Sequence, residues 1–329
     1  MRRCTAACDH CAIGGSPQAR GALSVPRMHA LLDEAACAGS FVRVVFTGGE
    51  CFLLGRRLDE LIAHAHELGF ITRAISNGYW AASERSAAER VRRARAAGLD
   101  ELMLSTGTFH QRFVPVARVA TAARAAAEAG IETHVSVEDC DQSAFDDTAL
   151  RDELRRFTDA GTISISNDPW IPDAAGRGST ALSHERVLAA GRSTAHERCT
   201  QILTVVSVTP DGMLTACCGF PMEELPALRI GSVLERPLDE VLARASNDLL
   251  HLWLHVRGPA DLAAFVARYV PGFHLPAFAS ICQACVALQR DPRAMSALFD
   301  HAGTVIDQIA GEFAALHGTA AYGCTTPAA

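Results

Sequence analysis

Apolar residues in the first half of the chain follow two alternating rhythms. Short runs at 41–47, 71–76, 101–105, 132–137 and 162–166, most of them rich in β-branched residues, read as strands. Between them, 57–68, 83–97, 116–129 and 148–160 carry the three-and-four spacing of helices, and each closes on a glycine: Gly69, Gly98, Gly130 and Gly161. Glycine suits the position just past a helix end. A further helix is predicted over 26–38. Strand and helix in regular alternation call for parallel strands joined by right-handed crossovers, an α/β fold.

Farther along, the rhythm changes. Pro210-Asp211-Gly212 stands between two β-rich runs and predicts a hairpin turn. An amphipathic helix follows Ile230-Gly231-Ser232-Val233, another starts near Cys282, and the tail from Asp291 to Leu316 reads as helix. The sequence therefore divides into 1–180, 181–290 and a helical tail at 291–329.

A length of 329 residues, 49% of them hydrophobic, suits a large domain and a smaller one. Twelve cysteines suggest disulfides, but a chain this long needs no staples, and reduced thiols fit better. Met1-Arg2-Arg3-Cys4 opens on no apolar segment, and no long uncharged apolar stretch follows. The expectation is a cytoplasmic protein without signal peptide or membrane partner. A net charge of −7 with no basic run argues against a nucleic-acid partner.

The chemistry is concentrated in the cysteines. Cys4, Cys8 and Cys11 are spaced C-x3-C-x2-C, and a predicted strand then runs into Gly48-Gly49-Glu50. Three thiolates can hold three irons of a [4Fe–4S] cluster, whose full ligand set is four, so one iron stays open. An open position separates a working metal site from a structural one. The same three cysteines also fit a zinc site short of a ligand, or one face of a helix.

With His10 before the last cysteine and Gly-Gly-Glu downstream, the sequence resembles the radical S-adenosylmethionine (radical SAM) enzymes. The resemblance implies a partial (β/α)6 TIM-like barrel with its active site at the C-terminal strand ends. In the family, S-adenosylmethionine chelates the open iron, one electron breaks its sulfonium bond, and a 5′-deoxyadenosyl radical takes hydrogen from substrate. The first barrel strand normally precedes the cysteines, yet three residues stand before Cys4, which suggests a missing strand or a truncated start, the latter preferred.

The resemblance also implies roles. Gly48 and Gly49 let backbone approach a ligand, and Glu50 can accept hydrogen bonds from an ammonium group. Ser76, Asn77, Ser105, Ser136 and Asn167 at strand ends, and Arg177 after the sixth strand, are candidates to hold S-adenosylmethionine, although strand-end polar residues serve equally as helix caps. His110 should overhang the barrel mouth, where imidazole can move a proton. Tyr79, Trp80 and Trp170 either line the same cavity or pack. Cys51 replaces the proline that usually follows Gly-Gly-Glu, and a thiol there is a candidate to return a hydrogen atom.

Cys199, Cys217, Cys282 and Cys285 are enough to close a second [4Fe–4S] cluster completely. Their layout resembles the auxiliary-cluster domains called SPASM and twitch. The further cysteines of a full SPASM domain are absent after Cys285, so one auxiliary cluster, the twitch arrangement of β-hairpin and helix, is expected. A four-cysteine zinc ribbon and simple core cysteines are the alternatives, and Cys218 competes with Cys217 as ligand. Cys37, Cys51, Cys140, Cys218 and Cys324 remain, most simply small buried hydrophobes.

A closed second cluster can accept an electron, so the expected reaction is hydrogen abstraction followed by two-electron oxidation. The cysteine layout is similar to that of aminocyclitol dehydrogenases, which oxidise a secondary alcohol to a ketone. The alternative is a maturase that crosslinks, epimerises or otherwise modifies a ribosomally made peptide. No leader-recognition domain is legible, which favours a small-molecule substrate without excluding a peptide. Either chemistry implies an electron donor such as flavodoxin or ferredoxin. An iron–sulfur electron carrier or a zinc-bound interaction protein needs neither the open iron nor Gly-Gly-Glu.

Overall fold

The computed structural model describes residues 1–139, 145–169, 177, 197–217, 225–275, 278 and 281–317. They fall into two compact units, Met1–Trp170 and Ile171–Ala329. The expected boundary at 180/181 lies outside the described residues.

The first unit runs α1 (Val25–Ala38), β1 (Arg43–Phe46), α2 (Arg56–Glu67), β2 (Ile71–Ser76), α3 (Glu84–Ala96), β3 (Glu101–Gly107), α4 (Thr108–Gln111), α5 (Val116–Glu128), β4 (Glu132–Asp139), α6 (Thr148–Asp159) and β5 (Ile163–Pro169). The five strands lie side by side in chain order, all parallel. This is the α/β architecture expected of a partial TIM barrel. Gly69, Gly98, Gly130 and Gly161 all take positive φ, as their place after helices predicted. Ser24 caps α1 by accepting from the Arg27 N–H.

Strand parity sorts the side chains. Ala74, Leu102, Leu104, Val135 and Val137 are buried in one core with the alanine-rich stripe of α5 (Ala122, Ala123, Ala126) and with Leu150 and Leu154 of α6. Small alanines let helix approach sheet closely, and each buried Leu contributes roughly 1.5–3 kcal/mol relative to exposure. The opposite parity, Arg73, Met103, Ser105, His134, Ser136, Ser164 and Ser166, is half-buried or exposed. Ser105, Ser136 and Ser166 are direct partners across three neighbouring strands. One face of the sheet is therefore sealed, and the other presents hydroxyls.

The sixth strand implied by the resemblance is not present among the described residues. Met1–Arg3 instead pairs by backbone with the Gly-Gly-Glu segment: Gly49 N–H donates to the Met1 carbonyl at 2.7 Å and Glu50 N–H to the Arg3 carbonyl at 3.0 Å.

The second unit holds an antiparallel sheet of β6 (Ser207–Val208), β7 (Met213–Thr215) and β8 (Arg229–Ser232). The predicted turn at Pro210-Asp211-Gly212 closes with Gly212 N–H on the Thr209 carbonyl at 2.9 Å. Helices α7 (Leu238–Ala245), α8 (Leu249–Val256), α9 (Pro259–Val266), α10 (Ile281–Arg290), α11 (Pro292–His301) and α12 (Ile306–His317) follow. This is larger than a hairpin and one helix. The tail, read from the sequence as one separate helix, is two, broken by a 3-10 turn at Ala302–Thr304 that contains Gly303. Both bury residues, Leu298 and Ile309, in the same core as Trp253 and Phe265. Arg257 at the end of α8 holds Glu312 of α12 through two hydrogen bonds of 2.7 and 2.5 Å. No described helix is long and apolar enough to cross a membrane.

Candidate functional site

Cys4, Cys8 and Cys11 lie in an irregular loop, not on a helix, which removes the helix-face alternative. The loop is tied down by short-range bonds: Cys4 N–H to the Ser16 carbonyl and Cys11 N–H to the Cys8 carbonyl. Its sulfurs face amide donors. Ala6 N–H lies 3.4 Å from Cys4 Sγ and Gly15 N–H 3.3 Å from Cys11 Sγ, contacts of the kind that tune a cluster's potential. Three cysteines presented this way fit a [4Fe–4S] cluster.

Gly48 and Gly49 were expected to admit a ligand, and the close approach they permit is by the chain itself. A Cβ at Gly49 would lie 2.2 Å from the Arg3 carbonyl oxygen, and one at Gly48 2.3 Å from that of Met1. Glu50 likewise turns inward. It is fully buried, and its carboxylate accepts from Phe52 N–H (3.0 Å), Asn77 N–H (2.9 Å) and the Ser76 hydroxyl (3.0 Å). Ser76 Oγ is itself the acceptor for Gly78 N–H and Trp80 Nε1–H, so its own proton can only go to Glu50. Glu50 and Ser76 thus fix the turn after β2 rather than reaching a ligand. Trp80 also stacks on Phe52, which makes it a packing residue.

Burial pushes the Glu50 pKa up to about 7 from 4.5, against the pull of the Asn77, Phe52 and Ser76 donors. An acid whose folded pKa exceeds its unfolded value keeps its proton longer when folded. Its contribution to stability is therefore full below the unfolded value and fades as pH rises through the folded one. Thermal melts are expected to show Tm falling between about pH 5 and pH 8, and Glu50→Gln to flatten that slope. A wild-type Tm that is level or rising across this window contradicts the assignment.

A second group forms where β3 and β4 end. Glu138 is buried; its Oε1 accepts from Phe109 N–H at 2.5 Å, and its Oε2 holds His110 Nδ1 and lies 3.9 Å from His10 Nε2. His10 stacks on Phe109, with ring centroids 5.0 Å apart, and meets His110 edge-on. Arg112 reaches Asp9 of the cysteine loop. A carboxylate accepts and does not donate, so Nδ1 of His110 carries a proton and Nε2 is left as the basic nitrogen of the neutral ring. Gly107 makes room for this arrangement, since a Cβ there would lie 2.2 Å from Glu138 Cδ. Gly107→Ala is expected to turn the carboxylate away. Nitrogen-15 spectra of the histidines should then lose the His110 Nδ1–H signature, and its survival would show that Glu138 does not set the tautomer.

The remaining candidates separate by parity. Ser105 and Ser136 lie on the open face of the sheet, with Ser166 beside them; His134 bridges Ser164 and Ser166 at 2.8 and 3.0 Å. Asn167 shares the parity of Ile163 and Ile165 and is held by Arg151 of α6, so it turns toward the helices and away from the open face. Cys51 is 2% exposed, and its thiol donates to the Ile75 carbonyl at 3.2 Å inside the core; no sulfur surface is offered to a substrate. Arg177 is half-buried in the second unit. Trp170, Cys140, Cys218 and Cys324 lie outside the described residues.

In the second unit Cys199, Cys217, Cys282 and Cys285 line one small apolar pocket, together with Ile202 and Leu254. Burial pushes the Cys199 thiol pKa up, opposed by the Ile202 and Gln201 amides that bond to it, and Gln289 donates to Cys285 Sγ at 2.9 Å. Four thiols lining one apolar pocket are a donor set that suits a closed metal centre.

Residues 1–138 match the family model described as Radical SAM superfamily. The Bacillus subtilis (strain 168) protein YydG, whose name assigns it provisionally to peptide biosynthesis, is 30% identical over 112 residues. That stretch is 34% of this chain and 35% of YydG, so the chain matches about a third of its relative's length. Among solved structures, Streptococcus suis SuiB bound to S-adenosylmethionine superposes with a TM-score of 0.46 at 14% identity, covering 72% of this chain and 62% of SuiB. BtrN in complex with AdoMet and 2-DOIA gives 0.44 at 14% identity, covering 79% and 86%. Likeness at that level says nothing of substrate. The family match spans the cysteine loop, Gly-Gly-Glu and four of the five parallel strands, so it is the first 138 residues that carry a radical SAM domain match.

Proposed function

We propose that the protein is a radical SAM oxidoreductase with two [4Fe–4S] clusters that carries out a two-electron oxidation, such as a secondary alcohol to a ketone on a sugar- or aminocyclitol-type molecule. The observation behind this reading is the convergence of Cys199, Cys217, Cys282 and Cys285 on one cavity. Cys4, Cys8 and Cys11 would hold the first cluster, and the other four cysteines the second. When bound, S-adenosylmethionine and the first cluster supply hydrogen abstraction, and the second cluster supplies an electron acceptor.

The chain's own side chains supply placement and proton transfer. Ser105, Ser136 and Ser166 stand in register on the open face, and this row of hydroxyl-bearing side chains, Ser166 already bonded to His134, suits a hydroxylated ligand. His110, held at Nδ1 by Glu138, presents Nε2 as a proton acceptor for a substrate hydroxyl. A flavodoxin or ferredoxin is the expected electron donor, and a cytoplasmic setting accords with free thiols.

A second reading, modification of a ribosomally made peptide, is favoured by the similarity to YydG. The two separate by product: oxidation of a small alcohol removes two hydrogens from it, whereas a maturase acts on a precursor peptide encoded nearby. Metal content tests the shared part. Anaerobically reconstituted protein should hold about eight irons, and the Cys282→Ala/Cys285→Ala variant about four, with 5′-deoxyadenosine formation retained. Undiminished iron in that variant, or zinc in the wild type, rules the second cluster out.

A further inference from the structure

We propose that Asn77 is a positioning residue that sets the reduction potential of the first cluster, donating a hydrogen bond from its side-chain amide to the sulfur of Cys4. The inference rests on the reading of Cys4 as a cluster ligand.

Asn77 is 7% exposed, and each of its polar groups has a place. Its backbone N–H donates to Glu50, and its Oδ1 accepts from Tyr79 N–H at 3.1 Å. That second contact decides which way the amide points. A backbone N–H can only donate, so the atom facing it is oxygen, and the NH₂ group must face the other side. There it finds Thr5 Oγ1 at 3.1 Å and Cys4 Sγ at 3.7 Å. Two amide hydrogens meet two acceptors. The expected role of Asn77, holding S-adenosylmethionine, would have to compete with both.

The support behind Asn77 is rigid. Glu50 is held by Phe52 and Ser76, and Ser76 by Gly78 and Trp80, so the buried carboxylate fixes the turn that aims the amide. The consequence is electrostatic. A reduced cluster carries one more negative charge, spread partly onto its sulfurs, and a donor aimed at sulfur stabilises that state and raises the potential. The other donors to Cys4 and Cys11 belong to the backbone; Asn77 is a side chain and can be replaced.

The test is a redox titration of the full-length reconstituted protein, following the electron paramagnetic resonance signal that changes when S-adenosylmethionine is added. Asn77→Ala is expected to lower the potential so that the reduced-to-oxidised ratio at fixed ambient potential falls about tenfold, about 59 mV for one electron. Asn77→Asp, which keeps the size and the Tyr79 contact, loses the donor and adds a negative charge, and should fall further. Thr5→Ala frees the amide for sulfur alone and should not fall. If Asn77→Ala fails to assemble a cluster, an unchanged potential in Asn77→Asp still overturns the inference. Unchanged potentials in the variants that assemble overturn the inference, while a wild-type signal indifferent to S-adenosylmethionine overturns the cluster assignment itself.

Discussion

Replacing Cys8 with Ala is expected to abolish 5′-deoxyadenosine formation and to remove about half the iron, leaving the roughly four atoms of a second cluster. Cys8 is the most buried of the three cysteines in its loop, 6% exposed, and its carbonyl anchors Cys11 N–H at 3.1 Å. Alanine keeps that backbone bond, so the loop should hold its course while a ligand is lost. With two thiols left, the first cluster has too few ligands to persist. The effect should therefore be total on cofactor cleavage and small on folding. Quantifying nucleoside product, iron and Tm on one preparation checks all three, and residual cleavage above background would mean that Cys8 is not a ligand.

Gly49→Ala is expected to damage the same cluster from the other side. Its Cβ would meet the Arg3 carbonyl oxygen at 2.2 Å and that of Arg2 at 2.5 Å, and backbone cannot swing aside as the tip of a side chain can. The N-terminal segment must move. Gly49 N–H then loses Met1 and Glu50 N–H loses Arg3, at about 1 kcal/mol for each hydrogen bond on top of about 1–3 kcal/mol for the overpacking. Arg3 is followed directly by Cys4, so the ligand moves with it. A loss of about 3 kcal/mol or more in chemical denaturation should accompany at least a tenfold fall in cofactor cleavage. Wild-type stability in this variant would contradict the packing described here.

These two effects mark where sequence reasoning reached and where it stopped. The spacing of Cys4, Cys8 and Cys11 and the strand–helix alternation are local patterns, and both were legible. The convergence of Cys199 and Cys217 with Cys282 and Cys285 was legible because thiols have few other reasons to gather. The partners of Glu50 were not, since Ser76 and Asn77 come from the next strand and no local pattern announces that pairing. The approach of Met1–Arg3 to Gly48 and Gly49 is long-range in the same way. Other placements do carry a local signal. Asn167 shares the parity of Ile163 and Ile165, which alone turns it toward the helices. Glu138 alternates with Val135 and Val137 as His134 and Ser136 do, which puts it on the open face beside His110. The tail helices were read as separate because Leu298 and Ile309 lack a legible partner until the core they fill is seen.

Cys4, Cys8 and Cys11, held against Gly-Gly-Glu, are proposed to support reductive cleavage of S-adenosylmethionine. Its most direct test is to reconstitute the protein anaerobically with iron and sulfide, reduce it with dithionite in the presence of S-adenosylmethionine, and measure 5′-deoxyadenosine. It is expected to form with the wild type and to be absent with Cys8→Ala. A fully iron-loaded wild type that forms none, or a protein that takes up zinc in place of iron, would contradict this role.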